Sequence, residues 1–400
     1  MENKIVEMSI DYGNSESRIL LTFTDNEGCE RHILSRINNF FVKLDDMDIE
    51  YLDDIFEGMP PTTSYIINVD DEYICSGKYA IKQRPSYITK PTATIKKIDN
   101  ETTKWSTHNI FIRAFTILSE VLNEDINTLI NSVFWELTIS LPAQEVLKDR
   151  NEIKKILQNF RLNAIYPEMT GEVNISSINI VPEGFATLIA CTYTIEGEKL
   201  NESLINRKTL VIDIGEGTTD LVLSDGAKNY QYNTLYTISC GGSNMKNKLR
   251  KLLADKGKVK NIFGDLFYND LIVNNGFYYY TTGSEPLDLQ KEVASVVKSI
   301  SNSVCNEMIN YFEGCRINAD EIDNILIVGG GSIQRSKNSI YNIIKEFIKH
   351  NYKLDESKFV EPPVLEGYEL YVEDKGLTTT IPEDQRRLLN VIGNAIYSLM

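Results

Sequence analysis

Two short runs of the sequence hold residue types suited to phosphate and a divalent cation. Asp11-Tyr12-Gly13-Asn14-Ser15-Glu16-Ser17-Arg18 and Asp213-Ile214-Gly215-Glu216-Gly217-Thr218-Thr219-Asp220 each set an acid at the end of an apolar run, a glycine two residues on, and small polar residues after it. Glycine at 13, 215 and 217 lets the chain turn tightly and approach an anion closely. Asn14, Ser15, Thr218 and Thr219 add amide or hydroxyl donors, while Asp11 and Asp213 can reach a hydrated metal ion through water. A nucleoside triphosphate needs these parts: backbone N–H groups at its phosphates, carboxylates for hydrated Mg2+, and a group that orients the attacking water. A single Asp-x-Gly is an ordinary turn. Two copies at matched hairpins point to a ligand.

The elements that must position these turns are legible as periodicity. Ile5, Val6, Met8 and Ile10 lead into the first turn and Leu210, Val211 and Ile212 into the second; both runs predict buried strands, each followed by an alternating strand. Such an echo predicts two related domains. Ile110, Ala114, Phe115, Leu118, Val121 and Leu122 recur at helical spacing. Val133, Trp135, Leu137, Ile139 and Leu141 alternate as a half-buried strand stopped by Pro142, and a further helix is expected over 143–160. In the second half, Val293, Val296, Val297, Ile300, Val304, Met308 and Phe312 predict a helix, and Ile325 to Val328 a strand ending at Gly329-Gly330-Gly331. Residues 31–99 read as a small variable subdomain, and 250–290 as a second mixed segment.

Composition narrows the function classes. With 400 residues the chain is long for one core, and 42% hydrophobic with 24% charged residues describes a globular protein. The net charge of −16 opposes non-specific binding to nucleic acid or an anionic membrane, although Lys246 to Lys260 holds seven basic residues. No signal peptide opens the chain and no run is long enough to span a bilayer, so a cytoplasmic protein with no membrane contact is expected. The six cysteines include no C-x-x-C pair and read as reduced thiols. The three histidines, His32, His108 and His350, offer no zinc spacing or catalytic triad. Neither a Walker G-x-x-x-x-G-K-[ST] nor a suitably placed G-x-G-x-x-G occurs, which excludes the P-loop and dinucleotide-binding classes.

Taken in order, five segments resemble the actin, heat-shock chaperone and sugar-kinase superfamily. Asp11 to Arg18 is similar to its first phosphate loop, Val181-Pro-Glu-Gly-Phe-Ala-Thr to its first connecting helix, and Asp213 to Asp220 to its second phosphate loop. Ile325-Leu-Ile-Val-Gly-Gly-Gly-Ser resembles the adenosine motif and Leu389-Asn-Val-Ile-Gly-Asn-Ala the second connecting helix. Within the superfamily, the Gly241-Gly242 pair and the short second domain resemble bacterial ParM-like plasmid-segregation actins. The absence of a long C-terminal peptide-binding domain sets the chaperone branch aside, and the absence of a hexose or glycerol loop the sugar kinases.

The resemblance implies an α/β, actin-like (ribonuclease H-like) fold of duplicated domains around a nucleotide cleft. Domain I would be 1–182 plus 381–400, domain II 183–380, with helices 183–195 and 387–397 crossing between them. It implies ATP and Mg2+ as cofactors, Glu183, Asp11 and Asp213 as catalytic carboxylates, and Asp11 and Asp213 as metal ligands through water. Gly13, Asn14, Ser15, Arg18, Gly215, Glu216, Gly217, Thr218, Thr219, Gly241, Gly242 and Ser332 would bind the nucleotide. Gly329, Gly330 and Gly331 would meet the adenosine, with Ser332 capping the next helix. Arg18 stands where many actins have a lysine. The implied function is an ATPase that polymerises head to tail and segregates plasmids through a DNA-binding adaptor, without touching DNA itself. Two alternatives stay open: a non-polymerising actin-fold small-molecule kinase, and a cytoskeletal actin for cell shape or organelle positioning.

Overall fold

The computed structural model describes residues 4–13, 16–44, 64–77, 80, 100–257, 265–278, 287–332, 336, 338–365, 368–372, 376–378 and 387–400, without the side chains of 100–104, 265 and 266. The described chain forms two compact units, one running to Leu200 and resuming at Pro363, the other covering Asn201–Pro362.

In the first unit the strands are β1 (Lys4–Asp11), β2 (Glu16–Thr24), β3 (Glu30–Asn38), β4 (Phe41–Lys43), β5 (Ser64–Val69), β6 (Glu72–Gly77), β7 (Val133–Leu141), β8 (Arg161–Tyr166), β9 (Met169–Glu172) and β10 (Asn174–Pro182). Its main sheet runs β10-β7-β1-β2-β3 and continues with the later strands Glu369–Val372 and Gly376–Thr378. β1 pairs antiparallel with β2 and parallel with β7, and β10 lies parallel to β7. The helices are α1 (Asn100–Leu122), α2 (Ile126–Ser132), α3 (Ala143–Lys148), α4 (Arg150–Gln158) and α5 (Glu183–Thr192). Phe111 and Phe115, one turn apart on α1, set their rings edge-on to the buried Trp135 of β7 at 5.5 and 5.2 Å. That contact fastens the long helix to the sheet over one continuous apolar core.

The second unit repeats the plan. Its strands are β11 (Lys208–Ile214), β12 (Thr219–Asp225), β13 (Tyr236–Ile238), β14 (Phe277–Tyr278), β15 (Leu287–Asp288), β16 (Asn324–Val328) and β17 (Phe359–Val360). Helices α6 (Gly242–Asp255), α7 (Asp265–Val273), α8 (Gln290–Gly314) and α9 (Ile340–Tyr352) pack with them around a second core. The sheet order β13-β12-β11-β16-β17 matches β3-β2-β1-β7-β10 strand for strand, with the same antiparallel hairpin and parallel partners. The echo between the two Asp-x-Gly runs is thus a repeat of topology.

Several elements depart from the sequence reading. Residues 30–38 are not part of an insertion: β3 is the third strand of the main sheet, its Ile33 and Ile37 buried in the core. A separate sheet, β4-β6-β5-β8-β9, draws on 41–43 and 64–77 and also on 161–172, far along the chain. The expected helix over 143–160 is two, α3 and α4, with Asp149 (φ −115°, ψ 0°) serving as the C-cap of the first and the N-cap of the second. In the second unit, α6 reaches Asp255, into the segment expected to be mixed. The units divide after Leu200 and after Pro362; the sequence reading places the first boundary at 182/183, and its second, 380/381, lies outside the described residues. Helix α5 belongs to the first unit because it packs on the last helix, Leu389–Leu399, where Thr187 Oγ1 donates to Asn390 Oδ1 at 2.7 Å.

Candidate functional site

Asp11 is the last residue of β1 and is buried. β1–β2 register sets it opposite Arg18, whose Nη1 donates to Asp11 Oδ2 at 2.7 Å. Burial works against the Arg18 charge, but Asp11 and Glu16 outweigh it and hold the guanidinium protonated beyond its ordinary range. Arg18 Nε donates to Glu16 Oε1 at 3.1 Å, and Arg36 on β3 donates from Nε to Glu16 Oε2 at 2.9 Å. The buried Asn39 donates to the Gly13 carbonyl at 2.6 Å and to Ser17 Oγ at 2.8 Å, fixing both flanks of the first turn. Asn14 and Ser15, expected between them, lie outside the described residues.

Glu183 opens α5 and is only 5% exposed, so it is not a solvated helix-start acid. Register brings it to the Asp11 end of the sheet: Asp11 aligns with Ser140 on β7, and Ser140 with Val181 on β10. The two acids therefore stand two strands apart at the carboxyl ends of parallel strands, where α/β sheets bind ligands.

In the second unit Asp213 ends up beside Gly329, because β11 and β16 pair with Asp213 opposite Val328. Gly329 has φ +81°, and a Cβ there would sit 2.2 Å from Asp213 Oδ1. The glycine run therefore makes room for the buried acid as well as baring backbone. Ser332 does not cap the next helix: its Oγ donates to the Gly329 carbonyl at 2.8 Å, while Ser339 caps α9. Gly330 and Gly331 complete a single 3-10 turn with Ser332.

Around the second turn the hydroxyl protons point inward. Thr218 Oγ1 donates to Asp220 Oδ2 at 2.9 Å and Thr219 Oγ1 to the Cys240 carbonyl at 2.8 Å. Each hydroxyl has one proton, so in this arrangement both offer outward only lone pairs. That leaves the backbone N–H groups of the turn, those of Glu216 and Gly217 among them, as the donors an anion would meet. Asp220, 1% exposed and also bonded by Thr237 Oγ1 at 2.5 Å, orients Thr218. Gly215 and Gly242 are joined by a Gly242 N–H to Gly215 carbonyl bond of 3.1 Å, and the Ser243 N–H reaches the Glu216 carbonyl at 2.7 Å. A Cβ on Gly241 would lie 2.6 Å from the Gly215 carbonyl oxygen, so this pair docks the turn onto α6. The Glu216 side chain turns to the same helix, accepting from Ser243 Oγ at 3.0 Å and pairing with Lys246.

Much of the basic run on and after α6 is engaged internally. Besides Lys246, Arg250 lies 4.8 Å over the Tyr268 ring and Lys256 pairs with Glu292 at 3.1 Å. Lys258 and Lys260 lie outside the described residues. None of the six cysteines forms a disulfide.

Each acid, taken in its own unit, is the kind of ligand that hydrated Mg2+ accepts. Asp11 and Asp213 supply hard oxygen at two glycine-lined turns, and among the described residues no group of three or more His, Cys, Asp or Glu could hold an ion. Mg2+ keeps several waters and takes only one or two carboxylates beside phosphate, which suits such acids. Sequence reasoning gave Glu16 and Lys246 no partner and did not single out Arg36, Asn39 or Ser243. Their signal is cross-strand and turn-to-helix register, which a linear motif does not carry.

No protein-family profile matches the chain, and comparison with curated proteins finds no match. Solved structures do match, over nearly its whole length. The actin-like protein Alp7A is similar at a TM-score of 0.62 and 16% identity, covering 98% of this chain and 96% of its own. A 15-stranded ParM filament from Clostridium botulinum gives 0.59 and 15%, covering 100% and 99%. The archaeal actin homologue Ta0583 in complex with ADP gives 0.60 and 13%, covering 99% of both chains. The chain has an actin-like fold of the ParM type. Among the described residues no helix is long and apolar enough to cross a membrane.

Proposed function

We propose that this actin-like chain binds ATP with Mg2+, polymerises into filaments and hydrolyses the nucleotide, and that its filaments segregate plasmid DNA through an adaptor. The observation that carries the reading is the paired placement of Asp11 and Asp213, each buried at the end of the equivalent strand of a repeated sheet and each followed by a glycine turn. The ADP complex of the archaeal homologue and the Clostridium ParM filament support it by similarity of fold.

In this reading Asp11 and Asp213 are the carboxylates that would hold hydrated Mg2+, and the ion would supply charge neutralisation along the phosphates. Backbone N–H groups of the Gly13 and Gly215–Gly217 turns meet phosphate oxygens, and Arg18 adds a planar cation. Glu183 accepts a proton from the attacking water and orients it. Gly329–Gly331 offer side-chain-free backbone to the adenosine. The net charge of −16 disfavours direct contact with DNA, which the adaptor makes instead.

Sedimentation tests the reading. ATP with Mg2+ should carry the protein into the pellet, and chelation of the metal should return it to the supernatant. No ATP-dependent pellet over a wide concentration range, together with ATP-dependent phosphorylation of a small acceptor, would establish the kinase alternative.

A further inference from the structure

We propose that Glu16 and Arg36 set how strongly Arg18 competes with a metal ion for the Asp11 carboxylate, Glu16 acting as a positioning residue through Arg18. The inference rests on the reading of Asp11 as a metal-shell acid. Its basis is a run of alternating charge laid across three strands. Register places Asp11 opposite Arg18 and Arg18 opposite Arg36, with Glu16 two residues before Arg18 on the same strand face. Arg18 divides its donors between Asp11, at 2.7 Å, and Glu16, at 3.1 Å. Glu16 is divided in turn: its second oxygen takes Arg36 Nε at 2.9 Å and Nη2 at 2.8 Å.

Two cations therefore seek one acid. Whatever draws Arg18 toward Glu16 leaves Asp11 freer for the hydrated metal, and whatever loosens Arg18 from Glu16 returns it to Asp11. Arg36 occupies Glu16 and so weakens its hold on Arg18. A lysine at position 18 could not span both acids, because its single nitrogen lacks the fork that presents Nε and Nη1 to separate partners.

Calorimetric ATP affinity of the full chain, measured with and without Mg2+, gives the metal coupling as a ratio. Arg18→Gln should raise that ratio about fivefold or more. Glu16→Gln should lower it and Arg36→Gln should raise it. A through-space field alone produces the same signs, so the double variants decide. In the Arg18→Gln background, adding Glu16→Gln or Arg36→Gln should leave the ratio unmoved, whereas undiminished shifts there overturn the proposal. Arg18→Lys keeps the charge and guards against misfolding, and in it the Glu16→Gln effect should also shrink. A wild-type chain whose ATP affinity ignores Mg2+ overturns the metal reading itself, separately from the relay.

Discussion

Glu183 shows how far a single residue can be argued. In the sequence it is one acid among 57 Asp and Glu, and only its place after Val181-Pro182 recommends it. The fold adds that it is buried, begins α5, and shares a sheet edge with Asp11. A carboxylate kept from solvent at a helix start is stabilised by the helix dipole and suited to hold one water. Glu183→Gln should therefore bind Mg-ATP normally while its turnover falls by about 10²-fold or more, the scale of a lost general base. Phosphate release under saturating ATP checks this, and wild-type turnover would reduce Glu183 to a structural acid. The turn hydroxyls teach the opposite lesson. Thr218 and Thr219 look like phosphate donors in the sequence, yet their protons go to Asp220 and Cys240, partners that strand pairing selects and spacing alone cannot reveal.

At the scale of elements, the long periodic segments were the legible ones. The strand ending at Pro142 and the helix carrying Val293 to Phe312 appear within a few residues of their expected ends, because each buries one whole face. The β3 strand was hidden inside a Tyr-, Pro- and Asp-rich region, and the small sheet joins segments about a hundred residues apart, a pairing that local pattern cannot encode. The crossing of α5 with the last helix is set by Gly393: a Cβ there would fall 1.7 Å from the Ala186 carbonyl oxygen, which is backbone and cannot swing aside. Gly393→Ala should accordingly lower stability by about 1–3 kcal/mol through overpacking, seen as a shifted denaturation midpoint with an unchanged slope. The same helix is tied to β1 by Ser398 Oγ donating to Glu7 at 3.0 Å. Burial, reinforced by Glu136 and Glu30, raises the Glu7 carboxyl above its ordinary 4.5 despite that bond. The folded chain thus holds this proton more tightly than the unfolded one, so the contribution is complete below about 4.5 and disappears as pH rises through the raised value. Glu7→Gln, neutral throughout, should gain stability relative to wild type over that rise, and denaturation at pH 4 and pH 7 measures the difference.

For the whole molecule, repetition is the main finding: two sheets of one order, each with its acid at the end of the same strand. Two Asp-x-Gly runs sufficed to suggest that repeat, and the shared connectivity explains why: an antiparallel hairpin needs a tight turn at its tip. In the proposed function, nucleotide would be coupled to assembly by linkage. A bound nucleotide can favour the filament only through a difference in affinity between assembled and free protein, and hydrolysis, by changing the ligand, removes that preference. Head-to-tail contacts that do not close into a ring leave ends open for growth. Light scattering after addition of ATP with Mg2+ should therefore rise and then decay for the wild type as nucleotide is consumed. In Glu183→Gln it should rise to a similar level and hold, because the same binding carries assembly while the step that ends it is slowed. Equal decay of both proteins would separate disassembly from hydrolysis and leave the ATP site standing without its role as a timer.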